Sequence, residues 1–178
     1  SKVEVDPHKK TLYDVLNETI NYTMYQLDTS VALHAKEYLE KRGIDAEVRK
    51  EFQIGYDPDR TSVTKFLMAK GFEEKDLVSS NVSRVNENGL FDVYAERITF
   101  PIHDMNGNPI GFSARTMDPN NPSKYINTNQ TDIFTKGDIV YNLHRAKNEA
   151  RRNKCIYLCE GVTDVIAFYK AGIKNDNK

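Results

Sequence analysis

Two carboxylates near the end of the chain have the spacing of a metal or proton-transfer site. The apolar run 154–159 predicts a buried strand, Glu160 ends it, Gly161 allows a tight turn, and Asp164 falls at the start of a helix predicted for 163–171. Because strand carboxyl ends face the binding crevice of an open α/β sheet, these two side chains can hold Mg²⁺ or accept a proton from an attacking hydroxyl. They can equally be a polar strand end and a helix-start carboxylate, and the pair alone leaves both interpretations open.

The distribution of charge is a second candidate feature. The 178 residues carry a formal net charge of −1, but residues 97–154 hold nine Lys or Arg against five Asp or Glu, a balance of +4, and the remainder is at −5. A basic middle between acidic ends can place positive potential on one surface, as binding of nucleic acid or nucleotides requires. Charge clusters more often form solvated faces, so the distribution by itself does not identify a site.

Cysteine and histidine usage gives little support to a metal site of another kind. Cys155 and Cys159 are either half of such a site or two small buried apolar residues, and the second interpretation is favoured because the chain has no other cysteine. The four histidines are scattered and are interpreted as structural or exposed. Reduced thiols fit a cytoplasmic protein, and no apolar run approaches the roughly 20 residues that a membrane span needs.

The first third of the chain is predicted to be helical, from the spacing of its apolar residues and from residues that cap helices. The predicted helices cover 11–27, 31–42, a short segment from Asp45 toward Phe52, and 63–70. Gly55, Pro58 and Asp59 indicate a loop before the last of them.

Two strands joined by a tight turn follow the helices. Apolar residues alternate with others in 96–102 and a second strand is predicted for 110–116, with Asn-Gly inside the polar turn between them. Pro101 indicates that the first strand lies at a sheet edge or ends there. The Asn- and Pro-rich segment 118–138 is predicted to be mostly loop, and a helix is predicted for 142–152.

Six blocks of sequence together resemble the RNA polymerase core of bacterial DnaG-type DNA primases. In chain order they are YLEKRGI at 38–44, FQIGYDP at 52–58, ERITFPIHDMNGNPIGFSAR at 96–115, SKYINT at 123–128, FTKGDIVYNLHRA at 134–146 and CEGVTDVIAFYKAGI at 159–173. The resemblance spans about 31–173, which is most of the chain. Six blocks in one order are more specific than any single motif, and the chain is identified as a member of this family.

The resemblance implies an α+β fold with a helical N-terminal part, a mixed β-sheet subdomain and then a truncated α/β TOPRIM unit. The implied domains are a leading helix at 1–30, the basic N-terminal subdomain of the core at 31–150, and the first strand and helix of the TOPRIM domain at 151–178. The implied activity is synthesis of short RNA primers on a single-stranded DNA template during replication. The implied partners are that template, ribonucleoside triphosphates and a replicative helicase, in the bacterial cytoplasm and away from membranes.

The resemblance also implies roles for individual residues. Glu160 is the catalytic TOPRIM glutamate and, with Asp164, a ligand of Mg²⁺ or Mn²⁺, whereas zinc belongs to an N-terminal domain outside this sequence. Primer synthesis expels pyrophosphate, so cationic and polar groups must offset charge on phosphate oxygens. The nucleotide- or template-binding positions are Arg97, Arg115, Lys124, Asn127 and Lys136. Without the resemblance, simple surface pairing with Asp104, Asp118, Asp132 and Asp138 would be the interpretation of these residues.

The sequence departs from the family in ways that limit what it is expected to do alone. A primase TOPRIM module needs a later strand ending in an Asp-x-Asp pair, and no such pair follows Glu160. The fragment is therefore expected to bind single-stranded DNA or nucleotide without making primers. Ser113 and Ala114 stand where the family more often has two glycines, and Ser123 where proline is usual. The alternatives are the TOPRIM part of a phage or plasmid primase-helicase, and a non-catalytic nucleic-acid-binding module.

Overall fold

The computed structural model describes residues 4–135, which fold into helices packed on both faces of a small sheet. The helices are α1 (Pro7–Leu27), α2 (Leu33–Lys41), α3 (Ala46–Glu51), α4 (Ser62–Ala69) and α5 (Glu74–Ser79), with a 3₁₀ turn at Ser30–Ala32 before α2. The strands are β1 (Gly55–Asp57), β2 (Ser83–Asn86), β3 (Gly89–Asp92), β4 (Arg97–His103), β5 (Pro109–Thr116) and β6 (Tyr125–Asn127). The elements predicted for 142–152, 154–159 and 163–171, and the residues Lys136, Glu160 and Asp164, lie outside the described residues.

The main sheet has the strand order β1-β4-β5-β6, and β2 and β3 form a separate hairpin. Helices and sheet combine as the predicted α+β class, which is confirmed. The sheet was expected to be mixed, but each pairing in the described part of the chain is antiparallel. The turn at 104–108 explains this for β4 and β5, because so short a connection can join only antiparallel neighbours.

The predicted hairpin of β4 and β5 is confirmed, and its turn is closed by Asp104. One oxygen of this carboxylate accepts the backbone N–H groups of Asn106 and Asn108, both at 2.9 Å. Gly107 adopts a φ of 82°, which a residue with a side chain rarely takes. The Asn-Gly signal therefore located the turn correctly.

The prediction that the first strand lies at an edge or ends at Pro101 is wrong. β4 continues to His103 in an interior position of the sheet, paired with β5 along its length and with β1 at residues 97–99. Pro101 is opposite Phe112 on β5, and Phe112 uses its backbone N–H and C=O to bond Thr128 on the far side. The Pro101 nitrogen therefore points to the β1 side, where β1 reaches only as far as Thr99, so the missing N–H removes no ladder bond.

Two hydrophobic cores lie on opposite faces of the sheet. Ile98, Phe100 and Ile102 of β4 pack with α2 and α3 in one core, and Phe112 and Ala114 of β5 pack with α4 and α5 in the other. α1 contributes to both, so the leading helix assigned to 1–30 packs into the same cores as the elements that follow it. Strands buried on both faces explain why β4 is buried throughout.

The short strands are the elements that the sequence did not predict. β1 and β6 have three residues each and fall in segments interpreted as loop, and the β2–β3 hairpin was not predicted. Three residues are too few for alternation to be recognised. The longer elements were predicted well: Asp45 caps α3 by accepting the Val48 N–H, although α1 begins a turn earlier than predicted, capped by Asp6.

α1 crosses the sheet against β1, where Gly55 faces Thr23. A Cβ added at Gly55 would lie 2.5 Å from the Thr23 Cβ and 2.6 Å from the Thr23 backbone carbonyl carbon. The Thr23 and Thr19 hydroxyls donate to carbonyls of their own helix, at 2.8 Å each. These buried hydroxyls need no partner from the strand, so helix and strand can pack in direct contact.

Two buried carboxyl groups meet where β1, β3 and α4 converge. Asp92, 2% exposed, accepts the backbone N–H groups of Val63 and Thr64 and the Thr64 hydroxyl, at 2.6–2.9 Å, and so caps α4 from a distant strand. Asp57, 1% exposed, hydrogen-bonds to Asp92. Burial, followed by the charge of Asp92, raises the pKa of Asp57 to about 10. Asp57 is therefore protonated at neutral pH and donates to the carboxylate that caps α4.

Candidate nucleic-acid interface

An open groove of about 360 Å³ lies between α2 and the chain segments that follow the Arg115 end of β5. Its lining consists of His34, Tyr38, Arg115, Thr116, Met117, Asp118, Pro119 and Lys124. Two of the predicted binding residues, Arg115 and Lys124, therefore meet in one concave site. Arg115 lies at the end of the hairpin and Lys124 in the Asn- and Pro-rich segment that follows it.

Arg115 is held in the groove by neutral groups. Its guanidinium carbon lies 4.4 Å from the centroid of the Tyr38 ring and 5.7 Å from that of Tyr125. One guanidinium nitrogen, Nη1, donates to the Thr116 carbonyl oxygen at 2.7 Å. No acid within residues 4–135 forms an ion pair with Arg115. Its charge is thus available to a phosphate, which suits the fork geometry of arginine.

Lys124 has a fixed backbone and an exposed side chain. Its carbonyl oxygen accepts the Thr116 N–H at 2.9 Å and a guanidinium N–H of Arg97 at 3.2 Å. Among the described residues, its ammonium group has neither a hydrogen-bond partner nor an ion-pair partner. The residue therefore presents a solvated cation from an anchored point of the chain.

Arg97 lies beneath this segment and is not part of the groove lining. It is 7% exposed, and its Nη1 lies within hydrogen-bond distance of the carbonyl oxygens of Ala114, Ser123 and Lys124, at 2.9–3.3 Å. Burial lowers the pKa of the Arg97 guanidinium. The position of this side chain favours support of the Lys124 segment over the direct template or nucleotide contact that the resemblance implied.

Asn127 lies on the same face of the sheet as Arg115 but outside the groove lining. Tyr125 pairs with Arg115 across β5 and β6, and the exposed Asn127 is two residues farther along β6. The next residue, Thr128, is fully buried, and its hydroxyl bonds the Phe112 N–H at 2.7 Å and the Tyr94 hydroxyl. The segment that carries Lys124 and Asn127 is thus anchored at both ends.

Surface pairing does not account for the groove cations. Asp104 accepts N–H groups of its own turn, Asp118 accepts the Asn120 N–H, and Asp132 pairs with His8 at 2.8 Å. None of these three acids pairs with a predicted binding residue in the described part of the chain, and Asp138 lies outside it. The simpler interpretation of these basic residues as surface ion pairs is therefore not supported by the three acids that are described.

The sequence analysis did not predict two groove-lining residues of α2, His34 and Tyr38, or the C-cap residue Arg42 that contacts Tyr38. His34 lines the groove, with its Nε2 3.2 Å from the Tyr56 hydroxyl. Tyr38 lies one turn on and Arg42 another, and the Arg42 guanidinium carbon is 4.5 Å from the Tyr38 ring centroid. Their spacing of four residues places them on one helix face, and this signal was available in the sequence.

The described residues suggest binding chemistry, and the proposed catalytic carboxylates lie elsewhere. No group of three or more His, Cys, Asp or Glu within 4–135 could hold a metal ion. A helix long and apolar enough to cross a bilayer is likewise not found in that range. Cations beside aromatic rings in an open groove are suited to phosphate groups and to nucleic acid.

Comparison with known proteins gives one family match and close sequence relatives. The family described as DNA primase catalytic core, N-terminal domain, matches residues 22–147. The DNA primase of Lactococcus lactis is 38% identical over 167 residues, which cover 92% of this chain and 26% of that protein. The chain thus spans about a quarter of the length of this curated relative.

Solved structures are similar over the same region. The RNA polymerase domain of Mycobacterium tuberculosis primase DnaG matches with a TM-score of 0.84 and 28% identity, covering 93% of this chain and 54% of that one. A DnaG primase catalytic domain bound to single-stranded DNA matches with a TM-score of 0.71 and 33% identity, covering 81% of this chain and 45% of that one.

Proposed function

This chain belongs to the family of bacterial DnaG-type DNA primases, as the N-terminal domain of their catalytic core, and we propose that it serves in the synthesis of short RNA primers on single-stranded DNA. Primer synthesis would take place in the cytoplasm at the replication fork, in association with a replicative helicase. The described part would grip template or nucleotide phosphates, and the chemistry would occur nearer Glu160.

One observation carries the proposed binding role. Arg115 and Lys124 line one groove, and neither forms an ion pair with an acid among residues 4–135. Unpaired cations in a concave site attract a polyanion, since low-dielectric walls focus the field of the charges. Asn127 would add a neutral donor on the same face, and Lys136, outside the described residues, is proposed as a further cation. A related catalytic domain has been solved with single-stranded DNA bound, which is consistent with such a ligand.

The catalytic part of the proposal rests on sequence. Glu160 and Asp164 are proposed to hold Mg²⁺ or Mn²⁺, because carboxylate oxygens are the ligands that these hard cations prefer. The metal would supply positive charge to the phosphate oxygens as pyrophosphate leaves. Both residues lie outside the described part of the chain, so the assignment rests on their spacing in the sequence and on the family resemblance.

Replacing Arg115 or Lys124 by alanine should weaken binding of single-stranded DNA. Each variant loses about one phosphate contact, so the affinity should fall roughly tenfold for Arg115→Ala and somewhat less for Lys124→Ala. The slope of log affinity against log salt should flatten by about 0.7 per lost contact. Fluorescence anisotropy of a labelled oligonucleotide, titrated with the chain across a salt series, measures both quantities.

Arg84→Ala and Lys50→Ala are the matched controls. Both side chains are exposed cations on β2 and α3, and neither lines the groove. They remove the same charge as the groove variants but no proposed contact, so their effect should stay within about twofold. Equal losses in the control and groove variants would mean diffuse electrostatic attraction and would contradict the assignment of the groove.

The 178-residue chain is expected to make no primers by itself. Two-metal phosphoryl transfer needs carboxylates on both ions, and no Asp-x-Asp pair follows Glu160 in this sequence. Incubation with single-stranded template, labelled ribonucleotides and Mg²⁺ or Mn²⁺, resolved on a denaturing gel, tests this. Template-dependent oligoribonucleotides that disappear in the Glu160→Gln variant would refute the expectation, since they would show an active site within this chain.

A further inference from the structure

We propose that Tyr38 is a positioning residue whose ring holds the Arg115 guanidinium in the orientation that binds a phosphate. The inference rests on the proposed function, because it assigns a cause to the geometry of a groove cation. Tyr38 would not touch the ligand itself. It would act through Arg115, from the opposite wall of the groove.

The contacts of the two side chains carry the proposal. Arg115 lies on β5 and Tyr38 on α2, so their 4.4 Å approach joins two elements across the groove. The hydrogen-bond donors of a guanidinium lie around its edge, so an aromatic ring can pack against its flat face without blocking them. Contact with the ring therefore restrains Arg115 and leaves edge donors available, with one of them used by the Thr116 carbonyl.

The chemistry of the ring explains why tyrosine suits this place better than an acid. A carboxylate could hold Arg115 as firmly, but it would cancel the charge that attracts a phosphate. The electron-rich ring face attracts a cation while carrying no net charge. Burial raises the pKa of the Tyr38 hydroxyl further above its usual value, so the residue stays neutral at physiological pH.

Arg42 contacts the same tyrosine ring. Its guanidinium carbon lies 4.5 Å from the centroid of the same ring, so two cations share one aromatic partner. Tyr38 itself packs against the core formed by α2, α3 and β4. A partly buried ring that packs against the core is a more rigid support than a solvated side chain, and it can fix the orientation of the guanidinium in contact with it.

The test compares Tyr38→Phe, Tyr38→Leu and Tyr38→Met in the oligonucleotide assay. The phenyl ring keeps the contact, so Tyr38→Phe should bind within about twofold of wild type. The two aliphatic variants remove the ring and should bind about fivefold more weakly, with a flatter salt dependence. The double variant Tyr38→Leu/Arg115→Ala should bind the oligonucleotide as weakly as Arg115→Ala alone. The two substitutions remove the same phosphate contact, so their effects should not add.

Tyr13→Leu serves as the matched control, because Tyr13 is partly buried against the same core but makes no described contact with Arg115. It should lower the melting temperature much as Tyr38→Leu does and leave affinity and salt slope unchanged. Tyr38→Met keeps more volume, so the comparison survives if Tyr38→Leu fails to fold. Wild-type binding by both aliphatic variants, with Arg115→Ala impaired, would overturn the inference and spare the proposed function. An unimpaired Arg115→Ala would overturn both.

Discussion

Gly55→Ala is expected to lower the free energy of unfolding by about 3 kcal/mol or more, enough to leave much of the chain unfolded. The added methyl group would lie 2.5 Å from the Thr23 Cβ and 2.6 Å from its carbonyl carbon. Backbone carbon cannot rotate away as a side chain can, so α1 would have to move off β1. Because α1 contributes to both cores, that movement would disturb both. Urea denaturation followed by circular dichroism at 222 nm measures the loss.

Gly89→Ala separates this clash from the general effect of replacing glycine. Gly89 has a φ of 108°, but a Cβ there would meet nothing within 4 Å. That variant should cost only about 1–2 kcal/mol, through backbone strain alone. A Gly55→Ala protein that unfolds at the wild-type urea concentration would show that α1 does not sit directly on β1.

Asp57→Asn is expected to change how stability depends on pH. The pKa of Asp57 is raised to about 10 in the folded chain, whereas an unfolded aspartate titrates near 4. Between these values the folded state holds a proton that the unfolded state has lost. The contribution of protonated Asp57 to the free energy of unfolding is therefore complete below about pH 4. It is lost as pH rises toward 10, by up to about 1.4 kcal/mol per pH unit. The amide group of asparagine can donate a hydrogen bond to Asp92 and does not titrate. The Asp57→Asn variant should therefore be more stable than the wild type at pH 8–9.

Urea denaturation of wild type and Asp57→Asn at pH 5, 7 and 9 tests the expected divergence. Asp118→Asn is the control, because it removes an exposed carboxylate that only accepts a local N–H. Its pH profile should follow that of the wild type. Parallel profiles for Asp57→Asn and wild type would mean that Asp57 is ionised in the folded chain and holds no proton between itself and Asp92.

The sequence predicted those parts of the fold that local physics determines. Helical periodicity and the cap at Asp45 located α1 to α4, and Asn-Gly located the β4–β5 turn. The role of Asp57 could not be predicted, since its partner Asp92 is 35 positions away and the segment looks like an ordinary Pro-containing loop. Only the convergence of β1, β3 and α4 makes its neighbourhood acidic and buried.

The lining of the proposed groove could be predicted from the sequence only in part, for a similar reason. Arg115 and Lys124 were both predicted as nucleotide- or template-binding residues, and both line the groove. Arg97 was grouped with them, but it pairs with Thr116, whereas Arg115 pairs with Ile98, so the two arginines lie on opposite faces of the sheet. The register of the hairpin determines which face each arginine occupies, and the residue types alone do not reveal that register. Tyr38 was not predicted, because the role proposed for it depends on a contact between α2 and β5.

The anchoring of residues 123–128 has a consequence for the thermodynamics of association. Arg97 holds the Ser123 and Lys124 carbonyls at one end, and Thr128 is bonded to Phe112 at the other. A loop ordered before its ligand arrives loses little conformational entropy on binding, so more of the electrostatic attraction remains as affinity. If the groove binds nucleic acid as proposed, encounter should need no slow rearrangement of the protein, and the association rate should be governed by diffusion in the electrostatic field of the groove.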